Sequence, residues 1–97
     1  MMLVWVIYDI SSDRIRNLVA RQCKNVGLYR VQKSVFLGTI EENDFDELKL
    51  RVEDIIDLET DSVYIFPMSK SELKKAGLIG QAFDKELVSD EIISKFF

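Results

Sequence analysis

The sequence predicts an α+β domain with a ferredoxin-like βαββαβ order, in which two helices cover one face of an antiparallel sheet. Three observations lead to this fold class. Apolar runs of strand length occupy residues 2–9 and 63–66, and residues 28–40 follow an extended pattern. Two segments between these runs carry apolar residues at helical spacing. The chain has 97 residues, which suits one domain.

The first strand is predicted over Met2–Asp9, because this run has the length and the β-branched content of a strand. Ser12 then precedes Asp13 as a candidate N-cap of a helix. Gly27 is expected to stop that helix. Cys23 falls on the apolar stripe and is the only cysteine, so we interpret it as a core residue rather than a nucleophile or half of a disulfide.

The extended pattern of residues 28–40 is too long for one strand, so we predict a hairpin that bends near residues 32–34. Gly38 is expected to mark a bulge or a close approach of two backbones. Asn43 and Asp44 are predicted to cap the second helix. The fourth strand is predicted over residues 63–66 and is closed by Pro67.

The first and fourth strands are apolar on both faces, whereas two helices shield only one side of such a sheet. We therefore predict a homodimer that packs one uncovered sheet face against its copy. Residues 1–68 would form the ferredoxin-like core, and residues 69–97 a C-terminal dimerisation segment of the same domain. Residues 76–80 are expected to add a strand to a sheet edge, that of the partner subunit in an exchanged dimer.

Composition narrows the functional classes. The chain is 47% hydrophobic and 31% charged, which is typical of a globular protein, and it lacks the roughly 20 consecutive apolar residues of a membrane span. With one cysteine, a reducing cytoplasm is the expected compartment.

The net charge of −4 hides a segregation of charge along the chain. Residues 13–33 contain six basic residues and one acid, whereas residues 41–61 contain ten acids and two bases. Either these segments are ordinary solvated faces, or the first one contacts nucleic acid. The candidate contacts in the basic segment are Arg14, Arg16, Arg30 and Lys33.

The chain contains no histidine, which removes the commonest general base and transition-metal ligand. An acidic residue with a hard cation is then the expected agent of any chemistry, and Asp9 is the best-placed candidate. A lone aspartate at a strand end is also a common turn residue. In a two-fold dimer, however, two copies of Asp9 would meet and repel, and a shared Mg²⁺, or Mn²⁺, would relieve that repulsion.

Neighbouring residues are candidates for binding a phosphodiester substrate. Arg16 and Arg30 have the planar donor group that suits phosphate. The Tyr8 hydroxyl is placed to orient a phosphate, and Ser34 on the hairpin is placed to contact it or a metal-bound water. Phe36 is predicted to stack on a base. Each of them also fits an ordinary structural role.

The run VIYDI at residues 6–10, Arg16, and the run GLYRVQKSVFLG at residues 27–38 together resemble the family of CRISPR-associated protein two. This family is the small partner of the integrase in prokaryotic spacer acquisition. The resemblance covers residues 1–67 and rests most on the Arg-x-Gln-x-Ser-Val-Phe segment. Some members carry a second arginine where this chain has Leu18, so one phosphate contact is expected to be missing.

The resemblance implies a ferredoxin-like homodimer whose fifth strand pairs with the partner subunit. It also implies a magnesium-dependent endonuclease that acts on single-stranded RNA in some members and on duplex DNA in others. The metal aspartate of the family falls on Asp9. Its accessory residues fall on the following positions: Tyr8, Arg16, Arg30, Ser34 and Phe36.

Two other functions compete with this hypothesis. One is a non-catalytic adaptor that bridges integrase dimers and supports DNA along the basic segment. The other is a VapD-type toxin ribonuclease, which shares a small fold and an early aspartate, although the Arg-x-Gln-x-Ser-Val-Phe segment favours the CRISPR interpretation. A ligand-sensing module is not supported by any motif such as a glycine-rich phosphate loop.

Overall fold

The computed structural model describes residues 1–80 and contains a four-stranded sheet with helices on both sides. The elements in chain order are β1 (Met2–Asp9), α1 (Asp13–Asn25), β2 (Tyr29–Gln32), β3 (Val35–Ile40), α2 (Glu42–Ile55), β4 (Ser62–Met68) and α3 (Lys70–Lys75). The first six elements follow the predicted βαββαβ order. α3 was not predicted.

All neighbouring strands of the sheet are antiparallel, and their order is β2-β3-β1-β4. In the register of the central strand, Val6 lies between Phe36 of β3 and Ile65 of β4. The α+β ferredoxin-like fold predicted from the sequence is therefore confirmed. This order leaves β2 and β4 as the edge strands.

Both ends of α1 form as the sequence predicted. The Ser12 hydroxyl accepts a hydrogen bond from the backbone N–H of Ile15 at 3.3 Å, which caps the first turn. At the other end, the N–H of Leu28 donates to the carbonyl of Cys23 at 3.0 Å, and the N–H of Gly27 donates to that of Lys24 at 3.0 Å. These two bonds form a Schellman motif, and Gly27 has the positive φ of 94° that the motif requires.

Gly38 lies where two backbones approach closely, as predicted. A Cβ atom at this position would lie 3.2 Å from the Cα of Leu28 and 3.3 Å from the carbonyl oxygen of Gly27. The bulge of the hairpin is elsewhere, in β2, where the register with β3 shifts between Arg30 and Gln32. This bulge decides which hairpin side chains reach the functional site.

Two predicted boundaries were wrong. α2 begins at Glu42 with Glu41 as its N-cap, and Glu41 makes no capping bond through its side chain. Asn43 and Asp44, the predicted caps, therefore lie inside the first turn. β4 also continues past Pro67, which pairs with Val4 of β1. Proline is tolerated there because β4 is an edge strand, so its outer side needs no N–H donor.

One face of the sheet packs against α1 and α2 and forms the larger core. Even-numbered residues of β1 contribute to it, together with residues of both helices, and Val4, Val6 and Val19 are fully buried. Cys23 is also fully buried here, which confirms its interpretation as a core residue. Its burial raises the pKa of the thiol to about 12, because an apolar environment disfavours the thiolate.

The opposite face of the sheet, hereafter the second face, is partly covered by the chain itself. Leu73 of α3, with Ala76 and Leu78 beyond it, packs against the second core cluster. The members of that cluster on the sheet are Leu3, Trp5, Val31, Val35 and Leu37. A second copy is therefore not needed to bury most of this face, which corrects the premise of the dimer prediction. The homodimer itself stays a prediction.

α3 begins at a capping box that the sequence contains but that we did not recognise. The Ser69 hydroxyl accepts from the N–H of Glu72 at 3.1 Å, and the Glu72 carboxylate accepts from the N–H of Ser69 at 2.9 Å. These bonds lower the pKa of the Glu72 carboxyl. Residues 76–80, predicted as a strand, form no strand within this chain. The rest of the predicted dimerisation segment, 81–97, lies outside the described residues.

Candidate active site

A cleft of about 420 Å³ opens where β1 ends. β1 and the start of α1 form one side of it, and β2 with the hairpin turn forms the other. The residues that line it are Tyr8, Asp9, Ile10, Arg16, Asn17, Arg30, Lys33 and Ser34. The structure thus brings together five of the six predicted catalytic residues.

Asp9 and Tyr8 point to opposite faces of the sheet, because neighbouring side chains of a strand alternate. Asp9 is exposed, and its register partner in β4 is Ser62. Tyr8 is 5% exposed and stacks against Phe36, with ring centroids 6.3 Å apart. Asp9 is therefore accessible to a ligand, whereas the Tyr8 ring forms the wall behind it.

Arg16 is held by the connection between β1 and α1. Its Nη1 donates to the backbone carbonyl of Ile10 at 2.8 Å and to that of Ser11 at 3.2 Å. Its Nη2 forms an ion pair with Asp13. These contacts order the loop that directly follows Asp9. The predicted contact of Arg16 with phosphate would use the guanidinium N–H groups that these bonds do not engage.

Phe36 is fully buried in the core under the cleft. A ring without exposed surface cannot stack on a base, so the stacking role predicted for Phe36 was wrong. Instead, the guanidinium carbon of Arg30 lies 5.1 Å from the centre of the Phe36 ring. Phe36 therefore lies between Tyr8 and Arg30 and contacts both, as a packing residue of the site.

The hairpin turn is tied to the end of β1. The backbone N–H of Tyr8 donates to the carbonyl of Ser34 at 3.1 Å. Ser34 in turn donates its N–H to the Gln32 side-chain oxygen at 3.1 Å. Ser34 and the exposed Lys33 line the cleft as a result. Arg14, the remaining predicted nucleic-acid contact, is exposed on α1 and does not line this cleft.

Asn17 and Ile10 line the cleft and were missed in the sequence. Asn17 is an exposed amide that follows Arg16 in the first turns of α1. Its position in a basic helix was the one signal that could have identified it. Ile10 carries the carbonyl that accepts from Arg16, a backbone role that side-chain patterns do not reveal.

The cleft suits a polyanion with a hydrated divalent cation. Asp9 is the only acidic side chain among its lining residues in the described part of the chain, and the cations Arg16, Arg30 and Lys33 line the same cleft. Within residues 1–80, no group of three acidic or cysteine side chains could enclose a metal ion. Mg²⁺ in proteins commonly takes one or two carboxylates and keeps its waters or binds phosphates. One Asp9 per chain fits such a site if a second copy or the substrate completes it.

Comparison with known proteins decides the family. Residues 2–76 match the family model described as CRISPR associated protein Cas2. The chain belongs to this family. The match extends from β1 through the end of α3.

Three Cas2 relatives show how much of the chain the likeness covers. The CRISPR-associated endoribonuclease Cas2 of Korarchaeum cryptofilum is 38% identical over 80 residues, which is 80% of this chain and 84% of the relative. The CRISPR-associated endonuclease Cas2 of Halalkalibacterium halodurans is 35% identical over 85 residues, 81% and 86% of the two chains. The crystal structure of Streptococcus pyogenes Cas2 superposes with a TM-score of 0.70 at 31% identity and covers 81% of this chain and all of that one.

Two further predictions concern the position of Leu18 and the lack of a membrane-spanning segment. Leu18, where the resemblance implied a missing arginine, is partly buried on α1 and is absent from the lining of the cleft. Among residues 1–80, no helix has the length and apolar character needed to cross a membrane.

Proposed function

We propose that this Cas2 protein is a metal-dependent endonuclease that hydrolyses phosphodiester bonds in the cytoplasm of a prokaryote during CRISPR spacer acquisition. The observation that carries the proposal is the cleft at the end of β1, which the exposed Asp9 lines together with Arg16, Arg30 and Lys33. A carboxylate among cations is the arrangement that binding a phosphodiester together with a cation requires. Three relatives share the family, and two of them are named as nucleases.

The residues of the cleft would have different roles in substrate binding. Arg30 and Lys33 are exposed and would attract the phosphate by charge, and the Arg30 guanidinium is steadied by the Phe36 ring beneath it. Ser34 would donate its hydroxyl to a phosphate oxygen or to a water. Arg16 would fix the loop after Asp9, so that the carboxylate keeps its position when the substrate arrives.

The metal proposed for this cleft is Mg²⁺, with Mn²⁺ as the alternative, held by Asp9 of two copies. Such an ion, when bound, polarises a phosphodiester and lowers the pKa of a bound water. A homodimer is supported by the position of Asp9 on the second face of the sheet, where its neighbours remain open. Ile7 is only half-buried there and Tyr64, its partner in β4, is 62% exposed.

Asp9→Asn tests the proposal directly. The change keeps the size of the side chain and removes its charge, so we expect cleavage of labelled single-stranded RNA or duplex DNA in Mg²⁺ to fall by at least about a hundredfold. The wild type in EDTA should be equally inactive. Asp46→Asn is the matched control, since Asp46 is exposed on α2 and does not line the cleft, and it should cleave normally. Equal activity of Asp9→Asn and the wild type, or activity that survives EDTA, would overturn the nuclease proposal.

A second candidate function is a non-catalytic adaptor that joins integrase subunits to DNA. The observation that favours it is the single carboxylate in the cleft, together with the missing three-ligand group in residues 1–80. The adaptor function predicts that Asp9→Asn still supports spacer integration in a reconstituted reaction with the integrase. Loss of integration in that variant, with its fold intact by circular dichroism, would contradict the adaptor function.

A further inference from the structure

Four exposed polar side chains form a stripe along α1. They are Arg14, Asn17, Arg21 and Lys24, spaced by three, four and three residues. This spacing places them on one side of a helix, and at 1.5 Å per residue they extend over about 15 Å. The buried residues Val19, Ala20 and Cys23 lie on the other side of the same helix.

A second cleft, of about 310 Å³, lies beside the candidate active site. Its lining combines α1 with β2 and consists of Asn17, Ala20, Arg21, Lys24, Asn25 and Arg30. Asn17 and Arg30 also line the active-site cleft, so the two clefts are continuous. Together they form a groove that runs from Asp9 along α1.

Apart from Asp9, all charged side chains of residues 1–80 that line this groove are basic. In the described part of the chain, ion pairs engage Arg16, Lys49 and Arg51, whereas Arg21, Lys24 and Arg30 form no ion pair with an acidic side chain. On the other side of Asn25, next to α2, the lining side chains also include acids. There a neighbouring cleft is lined by Asp44, Glu47 and Arg51 of α2, two acids and one base, and Arg51 forms an ion pair with Glu47. The basic groove thus has a boundary at Asn25.

We infer that this groove is a bounded track for the sugar–phosphate backbone that flanks the phosphate in the active-site cleft. Arg21 and Lys24 would bind phosphates by charge and Asn17 by hydrogen bonds, without reading bases. The acids beyond Asn25 repel a polyanion and end the track. This inference rests on the proposed function only in taking the Asp9 cleft as the place of the reacting phosphate; the binding track stands without cleavage.

The test measures binding of fluorescent oligonucleotides by anisotropy in EDTA, where metal-dependent cleavage is absent, over a range of NaCl concentrations. The probes are a 20-nucleotide single-stranded RNA and a DNA duplex of the same length. Arg21→Gln combined with Lys24→Gln should weaken binding about tenfold at 0.1 M salt and flatten the slope of log K against log salt by about 1.4 for RNA. For the duplex, the slope should flatten by about 1.8.

The matched control is Lys74→Gln combined with Lys75→Gln, which removes the same charge from the last turn of α3 on the second face of the sheet. It should keep the wild-type slope. Equal losses in both double variants would mean that only net charge matters, and the track would be refuted. Wild-type binding that is undetectable in 50 mM salt, or that Arg21→Gln with Lys24→Gln leaves unchanged, would also refute it. Failure of Asp9→Asn to abolish cleavage would overturn the nuclease proposal and leave this binding result standing.

Discussion

At the residue scale, the candidate site depends on the face of the sheet to which each side chain points. Asp9 reaches solvent and Tyr8 does not, although they are adjacent in sequence. The alternation along β1 could be predicted from the sequence. The burial of Phe36 could not, because it follows from the register in which β3 pairs Phe36 with Val6 of β1.

The contact between Phe36 and Arg30 makes a prediction about substrate binding. Phe36→Leu keeps an apolar core but removes the ring under the Arg30 guanidinium, so nucleic-acid affinity should fall about threefold, as expected for about 0.5–1 kcal/mol of a lost cation–π contact. The unfolding free energy should fall by roughly 1–2 kcal/mol. A double-mutant cycle with Arg30→Gln measures the coupling by anisotropy. Strict additivity of the two changes in affinity would contradict a positioning role for Phe36.

Burial of Cys23 predicts a pH dependence of stability. The pKa of this thiol is raised from 9.0 to about 12 in the folded state. Below pH 9 both states keep the proton, whereas above it only the unfolded state loses the proton, so folding stability should decrease as the pH rises. Urea unfolding at pH 8 and pH 10 should show a loss of roughly 1 kcal/mol that Cys23→Ala lacks. An equal loss in both proteins would mean that the thiol ionises normally.

At the element scale, local signals predicted both ends of α1 but not the start of α2, and the capping box that begins α3 was missed. The Ser12 cap and the Gly27 stop are local hydrogen-bonding motifs, so a short segment suffices to identify them. α2 has no side-chain cap, and its start is set by the end of β3 and by packing of Leu48 and Val52. β4 extends through Pro67 because an edge strand tolerates proline, which requires knowledge of the strand order.

The close approach at Gly38 predicts a stability difference between two glycine substitutions. In Gly38→Ala the new methyl would meet the Leu28 Cα at 3.2 Å and the Gly27 oxygen at 3.3 Å, and both are backbone atoms that cannot move independently. We expect a loss of roughly 1–3 kcal/mol in thermal or urea unfolding. Gly77→Ala is the control, because its methyl would meet only the Ile79 side chain at 3.7 Å. Equal stability of the two variants would contradict the packing of β3 against the end of α1.

At the scale of the whole molecule, the fold separates charge and keeps one part of the sheet open. α1 and α2 pack side by side on the same face, so the basic and acidic segments of the chain become neighbouring surfaces. The charge counts predicted this separation. The sequence could not predict that α3 and Leu78 cover the second face, because α3 is short and its apolar positions carry little periodic signal. The face near Asp9 is what stays open.

The central claim is that self-association brings two copies of Asp9 together around one divalent cation. Paramagnetic resonance counts free and bound Mn²⁺ during a titration, while light scattering measures the mass against twice the chain mass of 11.3 kDa. The account predicts a dimer that binds one Mn²⁺ per two chains, and an Asp9→Asn dimer of the same mass that binds none. A monomer, one ion per chain, or unchanged Mn²⁺ binding in Asp9→Asn would contradict it.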